Sequence, residues 1–166
     1  MIQTKRLIIK PFSEEDAEAI FHIMTNESVK QTYLVPDFTS KEQGLKTANR
    51  LIALSHDSKH CVLGVYLGEA LIGFLNEVEM ENDSIEMGYV ISPAYQNQGY
   101  ATEAFGAVIT YLFSRGFREV IAGAFAENLS SIRVMEKCGM KRMAKRADIE
   151  YRGKLHRCVY YAIEAN

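Results

Sequence analysis

The 166-residue chain is 48% hydrophobic and 24% charged, ordinary values for a globular protein, and long enough to bury a large core. Its formal net charge of -2 argues against nucleic acid held on a broad basic face, and its apolar runs are too short to cross a bilayer. The opening MIQTKRLIIKPF has no long apolar stretch before a small-residue cleavage site, so no signal peptide is expected. Cys61, Cys138 and Cys158 are odd in number and irregularly spaced, which fits reduced thiols in a cytoplasm better than a disulfide frame.

Leu7-Ile8-Ile9 reads as a first strand, stopped by Pro11. Ser13 and Asp16 then form a capping-box-like pair, and Ala17, Ile20, Phe21 and Met24 recur at helical spacing. A second helix is expected from Ser40, with Leu45, Ala48 and Ile52 on one face. The period then changes. CVLGVYL and ALIGFLNEV flank Gly68-Glu69, a tight hairpin link, and MENDS over 80–84 makes another turn before a strand over 85–91, IEMGYVI. A helix from about Ala101 to Ser114 ends at Gly116, REVIAGAFA gives a further strand, and Asn128 opens a helix that Gly139 closes. The last third, from Met140, reads as two strands around Arg152-Gly153. With no repeat, low-complexity stretch or linker, one domain over 1–166 is expected, a mixed α/β sheet covered by helices.

QNQGYATEA, residues 96 to 104, joins the strand ending at Ile91 to the helix near Ala101. A strand, a glycine-bearing loop and a helix start make an anion site, because the first helical N–H groups lack partners and the dipole end is positive. A P-loop would need GxxxxGK[ST], and the lysine and first glycine are missing. A dinucleotide fingerprint would need GxGxxG, and Gly99 stands alone with Ala101. A pyrophosphate held by backbone N–H groups needs no lysine. From the loop alone, that reading and a plain helix start without a ligand stand level.

GYVISPAYQNQGYATEA resembles motif A of the Gcn5-related N-acetyltransferase (GNAT) superfamily, whose loop reads Gln/Arg-x-x-Gly-x-Gly/Ala; Gln96, Gly99 and Ala101 match. Three further stretches resemble the RimJ/RimL-type ribosomal-protein N-terminal acetyltransferase branch. TKRLIIKPFSEEDAEAI over 4–20 is similar to its Thr-x-Arg-Leu-x-Leu-Arg opening. NLSSIRVMEKCGMKR over 128–142 is similar to its Asn-x-x-Ser helix, with Met140 where an aromatic is usual. YRGKLHRCVYYAI over 151–163 is similar to its closing strand. The likeness spans nearly the whole chain, in order. It implies the GNAT fold, a mixed, mostly antiparallel central sheet of about seven strands with about four flanking helices, splayed in the middle for the cofactor.

That resemblance implies an acyltransferase moving acetyl from acetyl-CoA to a primary amine by direct attack. Backbone N–H groups of Gln98, Gly99, Tyr100, Ala101 and Thr102 would cradle the pyrophosphate, with the helix dipole behind them. The strand over 85–91 would splay from that over 118–125, and pantetheine would bond to Tyr89 and Ile91 in the gap. An N–H near Val90 would polarise the thioester carbonyl, and Asn128 and Ser131 would lie near pantetheine and sulfur. Glu86 is the candidate base; as an isolated glutamate it reads equally as an exposed strand residue. The tyrosine acid of many GNAT members falls at Met135, which leaves Ser131, or water, as the acid. Ser131 also reads as a first-turn residue bonding to backbone.

Other residues read as structural. His56, His60 and Cys61 lack a second ligand pair, so no metal is expected, and no cysteine has a histidine in a nucleophile motif. His156 and Cys158 read as packing or surface residues, and Tyr89, Tyr95, Tyr100, Tyr111, Tyr151, Tyr160 and Tyr161 mainly as packing candidates, some of them able to line the acceptor cleft. Arg157 stands near where the branch commonly carries an acidic residue. Three functional readings follow: transfer to a protein N-terminal amine, as in ribosomal-protein-alanine N-acetyltransferases; transfer to a small amine such as an amino sugar, polyamine or amino-acid derivative; or a non-catalytic acyl-CoA binding module. The expected setting is a cytoplasmic enzyme, without nucleic acid or membrane, able to form a homodimer through its C-terminal strands.

Overall fold

The structure is a computed structural model that describes residues 1–166. Strands β1 (Ile2–Gln3), β2 (Ile8–Lys10), β3 (Val62–Leu67), β4 (Ala70–Glu81), β5 (Ser84–Ile91), β6 (Glu119–Phe125), β7 (Lys141–Tyr151) and β8 (Lys154–Glu164) form one sheet, ordered β1-β2-β3-β4-β5-β6-β8-β7. Helices are α1 (Ala17–Thr25), α2 (Glu27–Lys30), α3 (Lys41–Ser55), α4 (Tyr100–Ser114) and α5 (Leu129–Lys137). Every neighbouring pair of strands is antiparallel except β5 with β6.

The expected order of elements holds, with two additions. Eight strands stand in place of about seven because Ile2–Gln3 turns back on Ile8–Ile9, held by the Thr4 amide donating to the Leu7 carbonyl at 2.9 Å. Five helices stand in place of about four because Asn26 caps the single turn of α2, its side chain accepting from the amides of Ser28 and Val29. Two-residue strands and one-turn helices carry no periodicity to read. The Ser13–Asp16 capping box forms, though it opens a 3₁₀ turn over Glu14–Asp16 ahead of α1.

Two cores face the sheet. On one side α4 and α5 cover Ile85, Met87, Phe105, Leu112 and Val120; on the other α1 and α3 cover Phe12, Ile20, Ile52 and Phe74. Each such side chain contributes about 1.5–3 kcal/mol on leaving water. Strand alternation therefore assigns β5 side chains by face. Met87 joins the α4 core, whereas Val90 joins the α1/α3 core with Phe74. The β7–β8 hairpin turns at Arg152 (φ 52°) and Gly153 (φ 74°). At its tip the Tyr151 hydroxyl donates to the Lys30 carbonyl at 2.7 Å, and Arg152 lies 3.2 Å from Glu27, which fixes the hairpin against α2. No helix is long and apolar enough to cross a membrane.

Candidate active site

The loop after β5 is wound by two left-handed residues, Asn97 (φ 59°) and Gly99 (φ 82°), the second being the N-cap of α4. Glycine takes such a φ without the Cβ penalty. Gln96 shapes the loop rather than facing a ligand by its amide group: its Nε2 donates to the Ile91 carbonyl at 2.9 Å. Gln98 Nε2 donates to the Ala94 carbonyl at 3.3 Å. No side chain caps α4, and the first intrahelical bond runs from the Glu103 amide to the Gly99 carbonyl at 3.0 Å. The amides of Gly99, Tyr100, Ala101 and Thr102 thus lack intrahelical partners and border a cleft of about 630 Å³.

The cleft exists because β5 and β6 part company. Their parallel pairing covers Ser84–Glu119, Ile85–Val120 and Glu86–Ile121, then stops while both strands run on to Ile91 and Phe125. Gly88, Tyr89, Val90 and Ile91 line one side of the opening, Gly123 and Ala124 the other. The Ser92 amide donates to Ile72 of β4 at 2.7 Å. By alternation the Val90 amide also faces β4, and those of Tyr89 and Ile91 face the gap. The N–H groups near Val90 that open onto the gap are therefore those of Tyr89 and Ile91.

Asn128 and Ser131 border the cleft from α5. Asn128 Oδ1 accepts from the Ser131 amide at 3.2 Å, so its side chain caps the helix. Ser131 Oγ stands 2.8 Å from the Tyr89 hydroxyl, which also donates to the Ser131 carbonyl at 3.0 Å. Burial pushes the Tyr89 phenol well above its ordinary value.

Glu86 does not line the cleft; Gly88, next on the same face, does. Its side chain is only 14% exposed, with Oε2 3.9 Å from Lys145 Nζ. Burial raises its pKa, Lys145 opposes that, and Glu79 adds to it, leaving a net rise. Met135 is fully buried in the α4/α5 core, so its side chain is withdrawn from the cleft.

Sequence reasoning missed Ser28, Thr32 and Tyr33 around α2, which carry the cleft to the other face of the sheet. It also missed Arg133 and Lys137, whose i, i+4 spacing on α5 was a legible signal for two cations on one edge. His56 bonds the Phe12 carbonyl at 2.8 Å and His60 pairs with Glu77; no cluster of three metal-ligating side chains is present. Burial pushes the Cys61 and Cys138 thiols up to about 11 and raises Cys158 as well, opposite to what a nucleophile needs.

Comparison with known proteins agrees with this geometry. Residues 6–141 match the family model described as an acetyltransferase (GNAT) domain. The Bacillus subtilis (strain 168) protein named uncharacterized N-acetyltransferase YnaD is 31% identical over 156 residues, 85% of this chain and 82% of that protein. The crystal structure of a GNAT-family acetyltransferase from Bacillus anthracis superposes with a TM-score of 0.84 at 28% identity, covering 98% of this chain and 97% of the other. A Salmonella typhimurium acetyltransferase that modifies the N-terminal serine of 50S ribosomal subunit protein L7/L12 shares the fold, with a TM-score of 0.83 at 18% identity and coverage of 98% and 97%. With a free-amide helix start beside a splayed pair of strands, and a family match over most of its length, the chain belongs to the GNAT acetyltransferase family and is an N-acetyltransferase.

Proposed function

We propose that the enzyme acetylates the N-terminal amine of a protein, with acetyl-CoA as donor. The observation that carries this is the shape of the cleft. It runs from the free amides of α4, through the β5/β6 gap, to Ser28, Thr32 and Tyr33 around α2 on the other face of the sheet. Such a space admits a donor from one face and a chain end from the other. The Salmonella neighbour, which acts on a ribosomal-protein N-terminus, supports the same class of acceptor.

The residues present fit a pyrophosphate-bearing thioester. The amides of Gly99 to Thr102 and the positive end of α4 suit a diphosphate, and Arg133 and Lys137 add charge on the α5 edge. Gln96 keeps the loop in register with Ile91. The gap-facing backbone of Tyr89 and Ile91 offers a strand edge to an extended amide-bearing arm and an N–H for a developing oxyanion. Acetyl-CoA supplies an activated carbonyl and a thiolate leaving group. The amine nitrogen bonds to that carbonyl carbon as the C–S bond breaks. Glu86, set one residue pair behind Gly88, takes the ammonium proton through water rather than by direct contact. Ser131 stands on the cofactor side, where its hydroxyl serves the departing sulfur.

The test is acetyl transfer to a panel of free-amine peptides, the same peptides with blocked N-termini, and small amines including polyamines and amino sugars. Mass spectrometry should place acetyl on the α-amine of free peptides alone. Turnover confined to small amines would refute the peptide reading.

A further inference from the structure

We propose that Arg6 is a positioning residue for the phosphate-binding loop, supplying from the N-terminus the cation that QNQGYATEA lacks. The inference rests on the reading of that loop as a pyrophosphate site. Arg6 lies in the connection between β1 and β2, yet its guanidinium engages the loop at successive points. Nη1 donates to the Gln98 carbonyl at 2.9 Å, and Nε donates to Glu103 Oε2 at 2.6 Å. The guanidinium carbon sits 4.3 Å from the Tyr100 ring centroid. A Cβ placed on Gly99 would lie 3.3 Å from Nη2, so the guanidinium backs the left-handed residue at the helix start.

Glu103 explains why an arginine is needed. A carboxylate in the first turn of α4 suits the helix dipole but opposes an incoming anion at the same helix end. Three donors quench it: Thr4 Oγ1 at 2.6 Å, the Arg6 amide at 2.8 Å and Arg6 Nε. Burial alone would raise the Glu103 carboxyl, but these bonds outweigh it and hold it below its ordinary value. The pair is locally neutral, which leaves the amides of Gly99 to Thr102 as the uncompensated positive end. The planar fork of arginine reaches the Gln98 carbonyl and the Glu103 carboxylate at once, and a lysine ammonium has no such fork.

The experiment titrates CoA into native enzyme, Arg6→Gln and Arg6→Lys, and compares turnover of acetyl-CoA with that of S-acetylpantetheine, which lacks the pyrophosphate. For Arg6→Gln, CoA affinity should fall by about tenfold and the KM for acetyl-CoA should rise in step, with kcat near native. Turnover of S-acetylpantetheine should be unchanged. Arg6→Lys should recover only part of the CoA affinity, and it carries the test alone if Arg6→Gln does not fold. Native-like CoA binding by both variants, or equal losses with both donors, would overturn the role of Arg6. Failure of the folded native enzyme to bind CoA would instead overturn the reading of the loop itself.

Discussion

The Tyr89 hydroxyl stands 2.8 Å from Ser131 Oγ and donates to the Ser131 carbonyl at 3.0 Å, linking the splayed strand to the first turn of α5. Its ring lies 4.8 Å from that of Phe105, and its raised pKa keeps it a neutral donor. Tyr89 thereby fixes where the Ser131 hydroxyl sits. Tyr89→Phe keeps the ring and removes the bonds. Stability should drop by about 1 kcal/mol, CoA affinity should hold, and kcat should fall several-fold toward that of Ser131→Ala. Full kcat in both variants would remove Ser131 from the transfer step. Thermal melts and steady-state rates decide it.

Glu86, as the proposed base, should set the acid side of the pH profile. Burial raises its pKa above the ordinary carboxylate range, against the pull of Lys145. A base works ionised, so kcat should fall as pH drops through that raised value. Glu86→Gln should lose that limb and most of the rate, leaving the acceptor amine, near about 8, to shape the profile. Lys145→Met removes the opposing cation and should move the limb to higher pH. Stability has the opposite sign. The folded state holds the Glu86 proton more tightly than the unfolded chain, so its contribution fades as pH rises from the ordinary to the raised value. An unchanged acid limb in Glu86→Gln would assign the base elsewhere.

Gly88 keeps the passage between the two faces open. A Cβ there would meet Asn76 Oδ1 at 3.5 Å and Tyr33 and Val78 carbons at 3.6 Å, all ordinary contacts. Gly88→Ala should fold with stability within about 1 kcal/mol of native. Gly88→Leu carries its branched end into the cleft and should cut transfer by about tenfold or more, a loss of roughly 1.4 kcal/mol in transition-state stabilisation. Rates beside circular dichroism separate the blockage from a folding defect.

By the family resemblance Met135 falls where many GNAT members carry a tyrosine acid, and placing tyrosine there should not help. The side chain is fully buried in the α4/α5 core. Met135→Tyr should cost about 1–3 kcal/mol through overpacking, with no gain in kcat. A faster enzyme would show that this position reaches the sulfur.

Local signals in the sequence made much of the fold legible. Gly99 marks the α4 N-cap and Gly68 the β3–β4 turn because a left-handed φ favours glycine, and Asn128 caps α5 because its side-chain oxygen accepts from the Ser131 amide. The proposed phosphate loop lies in one contiguous stretch, residues 96–102. The acceptor half does not, because Thr32 and Tyr33 meet Gly88 only after the sheet brings residues far apart in sequence together. The same holds for Arg6 and Glu103, 97 residues apart. Glu86 is on the strand where it was expected, yet the alternation that buries it behind Gly88 shows only once the partners of β5 are known. Which N–H near Val90 faces the gap was hidden for a related reason: the edge each amide faces depends on the pairing with β4.

The most direct measurement is calorimetric titration of acetyl-CoA into the native enzyme and into Gly99→Glu. The variant sets a carboxylate on a residue at φ 82° against the free amides of α4. Saturable binding by the native enzyme, abolished in a variant that keeps its native circular dichroism, is the predicted result. A folded native enzyme that takes up no acetyl-CoA would contradict it and reduce QNQGYATEA to a helix start.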